Sequence, residues 1–263
     1  MANILILSPA KIVAIAASRG SGDQNLLTPH PKEVWADNAV GSAATISIDL
    51  GAARSIDTIF LGHVLPPATG ATWSITGGLA GYAETVIAGS GPLRVPDVVG
   101  RFPALSHAFW HDAPINVRYV RISVTQPAGS PALTIGVVQL GRAFTPMFNR
   151  EWGSGRRPID TGTVTSLPDG GFAVVEGVRK SACYWSLGDL GDDELATLNE
   201  LVLDRGTSRP LLVAEDPAIT AGLRRRLHYG LFGQFKQYER QSPGRTRWEL
   251  SIEEWGADES APL

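Results

Sequence analysis

Arg118-Tyr119-Val120-Arg121-Ile122-Ser123-Val124-Thr125 alternates without a break, with Val120, Ile122 and Val124 on one side and Arg121, Ser123 and Thr125 on the other. Strand side chains point in turn to the two faces of a sheet, so a period of two marks a strand with one buried face. The same period runs through Ile46-Ser47-Ile48-Asp49-Leu50, where Gly51 ends it. Ile56-Asp57-Thr58-Ile59-Phe60-Leu61, rich in β-branched and aromatic residues, then starts a further strand. Strands are expected at 45–50, 56–62, 72–76, 84–88, 117–125 and 133–141, separated by Gly and Pro turns. Asn3-Ile4-Leu5-Ile6 reads as a strand leading into them. Without a helical period in this half, a β-sandwich is the architecture these strands suit. Residues 89–114 are expected to form a long irregular loop, of the kind that covers an apolar edge or carries a binding function.

The character changes between Arg142 and Pro158, where aromatics mix with Arg, Gly and Pro. Beyond it, Pro168-Asp169-Gly170-Gly171 is a turn between two strand patterns, Thr161/Thr163/Thr165 and Phe172/Val174/Glu176/Val178. One helix is predicted over 192–205. Asp192 is its expected N-cap, Leu195, Leu198, Leu201 and Val202 its apolar stripe, and Arg205-Gly206 its end. A buried strand around Leu211-Leu212-Val213 and a closing hairpin about Ser242-Pro243-Gly244 follow. A chain of 263 residues favours two domains. The expected division is 1–143, a linker 144–157, a second β domain 158–257 and a disordered tail 258–263.

A net charge of −3 provides no basic field for nucleic acid. The single cysteine, Cys183, rules out an internal disulfide and a Cys-based zinc site. No positive charge precedes the apolar part of the N-terminus, and no apolar run reaches the ~20 residues of a bilayer span. The expectation is a soluble protein made in a cytoplasm. The five histidines form no His-Glu-x-x-His or His-x-His motif, and no Gly-x-Ser-x-Gly elbow occurs. Arg19-Gly20-Ser21-Gly22 and Gly153-Ser154-Gly155-Arg156 lack the Lys-Ser/Thr ending of a phosphate loop. Arg224-Arg225-Arg226 reads as a solvated or subunit-facing turn. No enzyme activity, cofactor or metal is expected.

Seven tryptophans are spread over both halves. Trp185, Trp248 and Trp255 sit in strand patterns that suit a core, whereas Trp110 and Trp152 lie in irregular segments where an interface or ligand role is open. His63, His107, Trp110 and His111 are the candidate glycan-binding cluster, unless they cap the core and hold the loop down. Phe148, Trp152, Arg156, Arg157 and Arg225 are the candidate assembly interface.

The first half resembles the galactose-binding-like, discoidin-type β-sandwich. The resemblance rests on Ala17-Ser18, Val34-Trp35-Ala36-Asp37-Asn38, Ile46 to Gly51, Ile56 to Ile59, Arg118 to Ile122 and Ile135 to Gly141. The second half resembles the tail-tube-type β-sandwich with one flanking helix, found in distal tail and tail-tip proteins of long-tailed bacteriophages. That likeness is carried by Ala182 to Leu187, the leucines of the helix, Arg209 to Val213 and Trp248 to Glu254. The resemblance implies a virion component made in the bacterial host cytoplasm. Its second domain would form a ring of six copies, or three, against tail tube and hub or fibre proteins. Its first domain would decorate the ring and contact host glycans, with no nucleic-acid partner and no membrane insertion. The alternative is a free carbohydrate-binding module.

Overall fold

The computed structural model describes residues 2–99 and 105–256. The tail expected at 258–263 lies outside the described residues. The chain divides into two units, Met1–Thr145 with Leu211–His228, and Pro146–Pro210 with Tyr229–Leu263. The structure is mainly β, with a single α-helix among the described residues.

The first unit contains β1 (Leu5–Pro9), β2 (Ala14–Ala17), β3 (Trp35–Ala36), β4 (Ala43–Leu65), β5 (Thr72–Gly78), β6 (Thr85–Pro92), β7 (Ser106–Thr125) and β8 (Thr134–Phe144). It also contains β13 (Leu211–Ala214). All pairings are antiparallel. Residues 43–49 of β4 pair with 119–125 of β7, and β2 lies on the other side of the same half of β4. β5 pairs with that half of β7, and β6 pairs with β5. The other halves of β4 and β7 pair with each other, β8 adds to β4, β3 and β1 add to β8, and β13 adds to β1. The two long strands therefore belong to two layers.

They change layer at a shared corner. The register slips between Asp49 and Arg54, and residues 51–55 and 111–114 are exposed. Gly51 has φ +75, a conformation that favours glycine, and its N–H donates to Asp49 Oδ1 at 2.7 Å. Such a register slip bends a strand. Between the layers Ile46, Ile48, Ile75, Val120 and Ile122 meet Ile59, Leu61, Ile135 and Leu140 in one core. The connection expected between strands at 50 and 56 is thus a bend in one strand, and 106–114 of the expected loop are the first half of β7. Ala108 and Trp110 keep the period of two there, but His107 and Phe109 on the opposite side are packed as well, which hides the alternation.

The second unit contains β9 (Gly155–Asp160), β10 (Thr163–Ser166), β11 (Phe172–Val175), β12 (Arg179–Leu190), α1 (Asp192–Arg205), β15 (Glu239–Ser242) and β16 (Arg245–Glu254). Residues 229–232 of β14 (Leu227–Phe232) belong to it too. β12 lies between β9 and β16, while β14 and β15 both pair with β16. Cys183, Trp185, Leu187, Trp248, Leu250 and Ile252 are buried, as are Leu198, Leu201 and Val202 of α1. Asp192 is the first residue of α1 rather than its cap; Glu194 reaches back to accept the Gly191 N–H at 2.9 Å. Leu211–His228, expected in the second domain, goes with the first because β13 pairs with β1.

One buried side chain ties the loops at an end of the first unit. Gln126 is 1% exposed; its Oε1 accepts from Ala68 N at 2.8 Å, and its Nε2 donates to Pro66 O at 3.0 Å and Pro131 O at 2.9 Å. Gln126→Leu removes three bonds and leaves their backbone partners unpaired. The expected loss in a denaturant titration is about 3 kcal/mol, the upper end for buried polar groups left unsatisfied. An unchanged midpoint would mean that water reaches this knot.

Candidate functional site

The cluster predicted from sequence is divided between two faces of one sheet. Trp110 pairs with Ile59 across β7 and β4 and packs, half-buried, against the core. His107 and His111, three residues before it and one after, face the other way, as the period of two requires. His63 is 8% exposed and has φ +53, rare for a residue with a Cβ. Its backbone N–H donates to His107 Nδ1 at 3.3 Å, and the His107 ring lies 5.8 Å from that of His63 and 5.3 Å from Phe60. An accepting Nδ1 keeps His107 a neutral imidazole. Burial, then the neighbouring charges of His63, Arg224 and His228, holds its pKa well below the usual 6.5. His111 is exposed and serves as a tie, its Nδ1 donating to Thr58 Oγ1 at 2.9 Å while Thr58 donates to the buried Asp57 at 2.9 Å.

The predicted assembly residues divide likewise. Phe148 is partly exposed beneath Arg245, whose guanidinium lies 5.7 Å from its ring, and Trp152 is 102% exposed. Arg156 and Arg157 project from β9 on the same unit. Arg225 belongs to the other unit, where its Nε is 3.4 Å from Asp97.

The densest set of recognition-type side chains is on the outer face of β5, β7 and β4. In register, Gly78–Tyr119–Asp49 form one row, Thr76–Arg121–Ser47 the next, and Ser74–Ser123–Thr45 a third. Ala14 and Ala16 of β2 extend the rows with small, exposed residues. Tyr82, from the turn after β5, meets Tyr119 edge to face at 5.0 Å between ring centroids. Arg121 lies over Tyr82 at 5.1 Å and Arg118 over Tyr119 at 4.7 Å, both cation–π distances. Arg118 also forks onto Asp49 at 2.9 and 3.1 Å. That hydrogen bond, with a second from Gly51 N–H, holds the Asp49 carboxyl below its ordinary range. Burial and then the Asp49 charge push the Tyr82 phenol up, so it stays a neutral donor.

Arg121 differs from Arg118. Among the described residues it makes no ion pair, and its Nε is buried with no hydrogen-bond partner. One cation is therefore available beside two aromatic rings, in a field of Ser, Thr, Ala and Gly. Sequence reasoning placed Arg121, Ser123 and Thr125 on the outward side and assigned them no role. The usable signal is the bulky Tyr119-x-Arg121 pair on the outward side of an otherwise small, hydroxylated strand face.

No family model matches the chain, and none of the curated proteins matches it. Similar solved structures include a module described as CpGH89CBM32-6 produced by Clostridium perfringens. It is 14% identical, with 48% of this chain and 90% of that one covered, at a TM-score of 0.37. The CBM32 of AlyQ in complex with 4,5-unsaturated mannuronic acid is 20% identical, with 51% and 97% covered and a TM-score of 0.37. Chitosan-binding module 2 of a Paenibacillus sp. IK-5 chitosanase/glucanase, in complex with chitotriose, is 21% identical, with 49% and 95% covered and a TM-score of 0.35. These TM-scores lie under 0.5, and the likeness carries no argument about ligand or activity.

Two outcomes follow from the histidine and tryptophan placements. Trp110→Ala removes a ring packed on the core and is expected to lower stability by about 2 kcal/mol or more in a denaturant titration. An unchanged midpoint would return Trp110 to the ligand candidates. His107 stays neutral in the folded state, whereas in the unfolded chain it binds a proton below about pH 6.5. The unfolded state then holds more protons, so stability falls as pH drops through that value. His107→Phe is expected to flatten this acid dependence, read as unfolding midpoints between pH 7 and pH 5.

Proposed function

We propose that the protein binds glycans, and that it does so on the β5–β7–β4 face of the first unit. The observation that carries this reading is the Tyr82–Tyr119 pair with Arg121 beside it, an arginine with no carboxylate partner among the described residues. Tyrosine rings offer flat apolar surface to the C–H faces of a sugar, and hydroxyl-bearing neighbours fix its orientation. Ser47, Thr76, Ser74 and Ser123 are those neighbours. The available guanidinium favours a sugar that carries a carboxylate, which it grips through two parallel N–H bonds.

The second unit favours a further reading that is compatible with the first. Its ribbon β10–β11 is exposed along its whole length, which suits a subunit of a larger structure such as the tail-tip component that the sequence resembles. Tail tube and hub proteins are the partners this reading implies. A free carbohydrate-binding module would use the same face without that assembly.

A glycan array with the purified chain is expected to show binding, strongest for acidic glycans and weakened by added salt. Tyr119→Ala and Arg121→Ala are each expected to reduce affinity about tenfold or more, equivalent to ~1.4 kcal/mol, with the fold retained. The Arg121 variant is expected to lose the preference for acidic over neutral glycans. Absence of any glycan binding by the wild type, or wild-type affinity in both variants, overturns the reading.

A further inference from the structure

The ribbon β10–β11 is a separate two-stranded sheet that pairs with no other strand among the described residues. Its register pairs Val164 with Val174 and Ser166 with Phe172, placing these four on one face. Phe172 is 67% exposed and Val174 62%, and Val164, Leu167 and Val175 are exposed as well. Across Thr161 to Val175 Asp169 is the one charged residue. A two-stranded hairpin alone is marginally stable in water, and sheets that end in solvent are usually blunted with charge. This one has open edges, an apolar face and a single carboxylate. It joins β9 and β12 at a junction where Gly177 lies so close to Gly162 that a Cβ would collide with its backbone.

The same unit has a recess of the opposite character. Arg157, Ala182, Tyr184, Gly233, Ser251 and Glu253 line a pocket of 320 Å³ on the sheet. In the rows Arg157–Ala182–Glu253 and Gly155–Tyr184–Ser251 the small Ala182 lies between two long charged side chains and Tyr184 between two small residues, with Gly233 at their edge. Tyr184, partly exposed, forms an aromatic wall. Arg157 at the rim makes no ion pair among the described residues, and the Asp169 carboxylate at the tip of the ribbon accepts only from Gly171 N. Phe172 stands in solvent, so the chain's own pocket is not what covers it.

We propose that the ribbon of one copy docks on a second copy of this chain, Phe172 filling the pocket between Ala182, Tyr184 and Gly233. Asp169 then pairs with the partner's Arg157. Ala182, Tyr184 and Gly233 offer the ring an apolar seat inside the recess, and the Asp169 and Arg157 charges are opposite in sign. Knob and hole are different surfaces, so the contact is head to tail, and repeating it closes a ring or continues as a filament. The inference is independent of the glycan reading, since every residue it uses lies on the second unit.

Analytical ultracentrifugation of the full chain tests it. At tens of micromolar the wild type is expected to sediment as a closed oligomer or a longer chain of copies. Phe172→Asp, at a position 67% exposed, is expected to keep the wild-type circular dichroism spectrum and to sediment as the monomer. Arg157→Asp is expected to weaken assembly at least tenfold in concentration, and Asp169→Arg in the same chain to restore it. A monomeric wild type at all concentrations overturns the proposal. So does an oligomer that neither Phe172→Asp nor Arg157→Asp disturbs, or a charge reversal without rescue.

Discussion

The antiparallel pairing of β4 with β7 carries the first unit, because both strands serve in both layers. The two halves of each strand face one core from opposite sides, so the layers cannot part without breaking the pairing itself. Ordinary sandwiches join their sheets through loops, and the packing of side chains alone sets the distance between them. Here backbone hydrogen bonds run around the corner as well. The cost is local and lies at the bend, where residues 51–55 are exposed and Gly51 takes up a conformation that side chains disfavour.

The corner also builds the candidate face. Asp49 is the last residue paired before the register slips, and Arg118 follows the point where it resumes. The bend brings their charged ends together, and the fork that results fixes Arg118 over Tyr119. With Arg118 neutralised by Asp49, Arg121 keeps its charge for other uses. Thus one arginine of the pair is structural in effect, and the rigid tyrosine it supports is part of what a ligand would meet. Sites on strands hold their geometry better than sites on loops, because each side chain inherits the register of the sheet.

Much of the fold was legible in the alternation of apolar residues. Val120, Ile122 and Val124 are buried as their period requires, and so are Ile46 and Ile48. The helix over 192–205 was readable from its leucines and its acidic start, although Glu194 rather than Asp192 completes the N-terminal turn. What escaped was packing on two faces. Residues 106–111 alternate, but Phe109 and His107 are covered on one side as Ala108 and Trp110 are on the other, so the segment looked aperiodic. The candidate site was less legible than the fold. Aromatic and basic residues in loops drew attention, while Tyr119 and Arg121 sat within a clear strand pattern and were absorbed by it. Arginine availability depends on where Asp49 and Arg118 meet, and that follows from register and bend rather than from spacing along the chain.

β1 lies between β8 and β13, and in the chain those neighbours are separated by all of Pro146–Pro210. During synthesis β1 therefore finds β8 early and β13 late. At translation rates of ~5–20 residues per second, the wait is on the order of several seconds. For that interval Leu5 and Ile6 form an open apolar border on a nearly finished sandwich, the kind of border that recruits foreign strands. The ribosome would thus release the first unit in two instalments, with the second unit's strands and helix emerging between them. Nascent-chain crowding, more than final stability, would then be the period when this molecule is most open to misassociation.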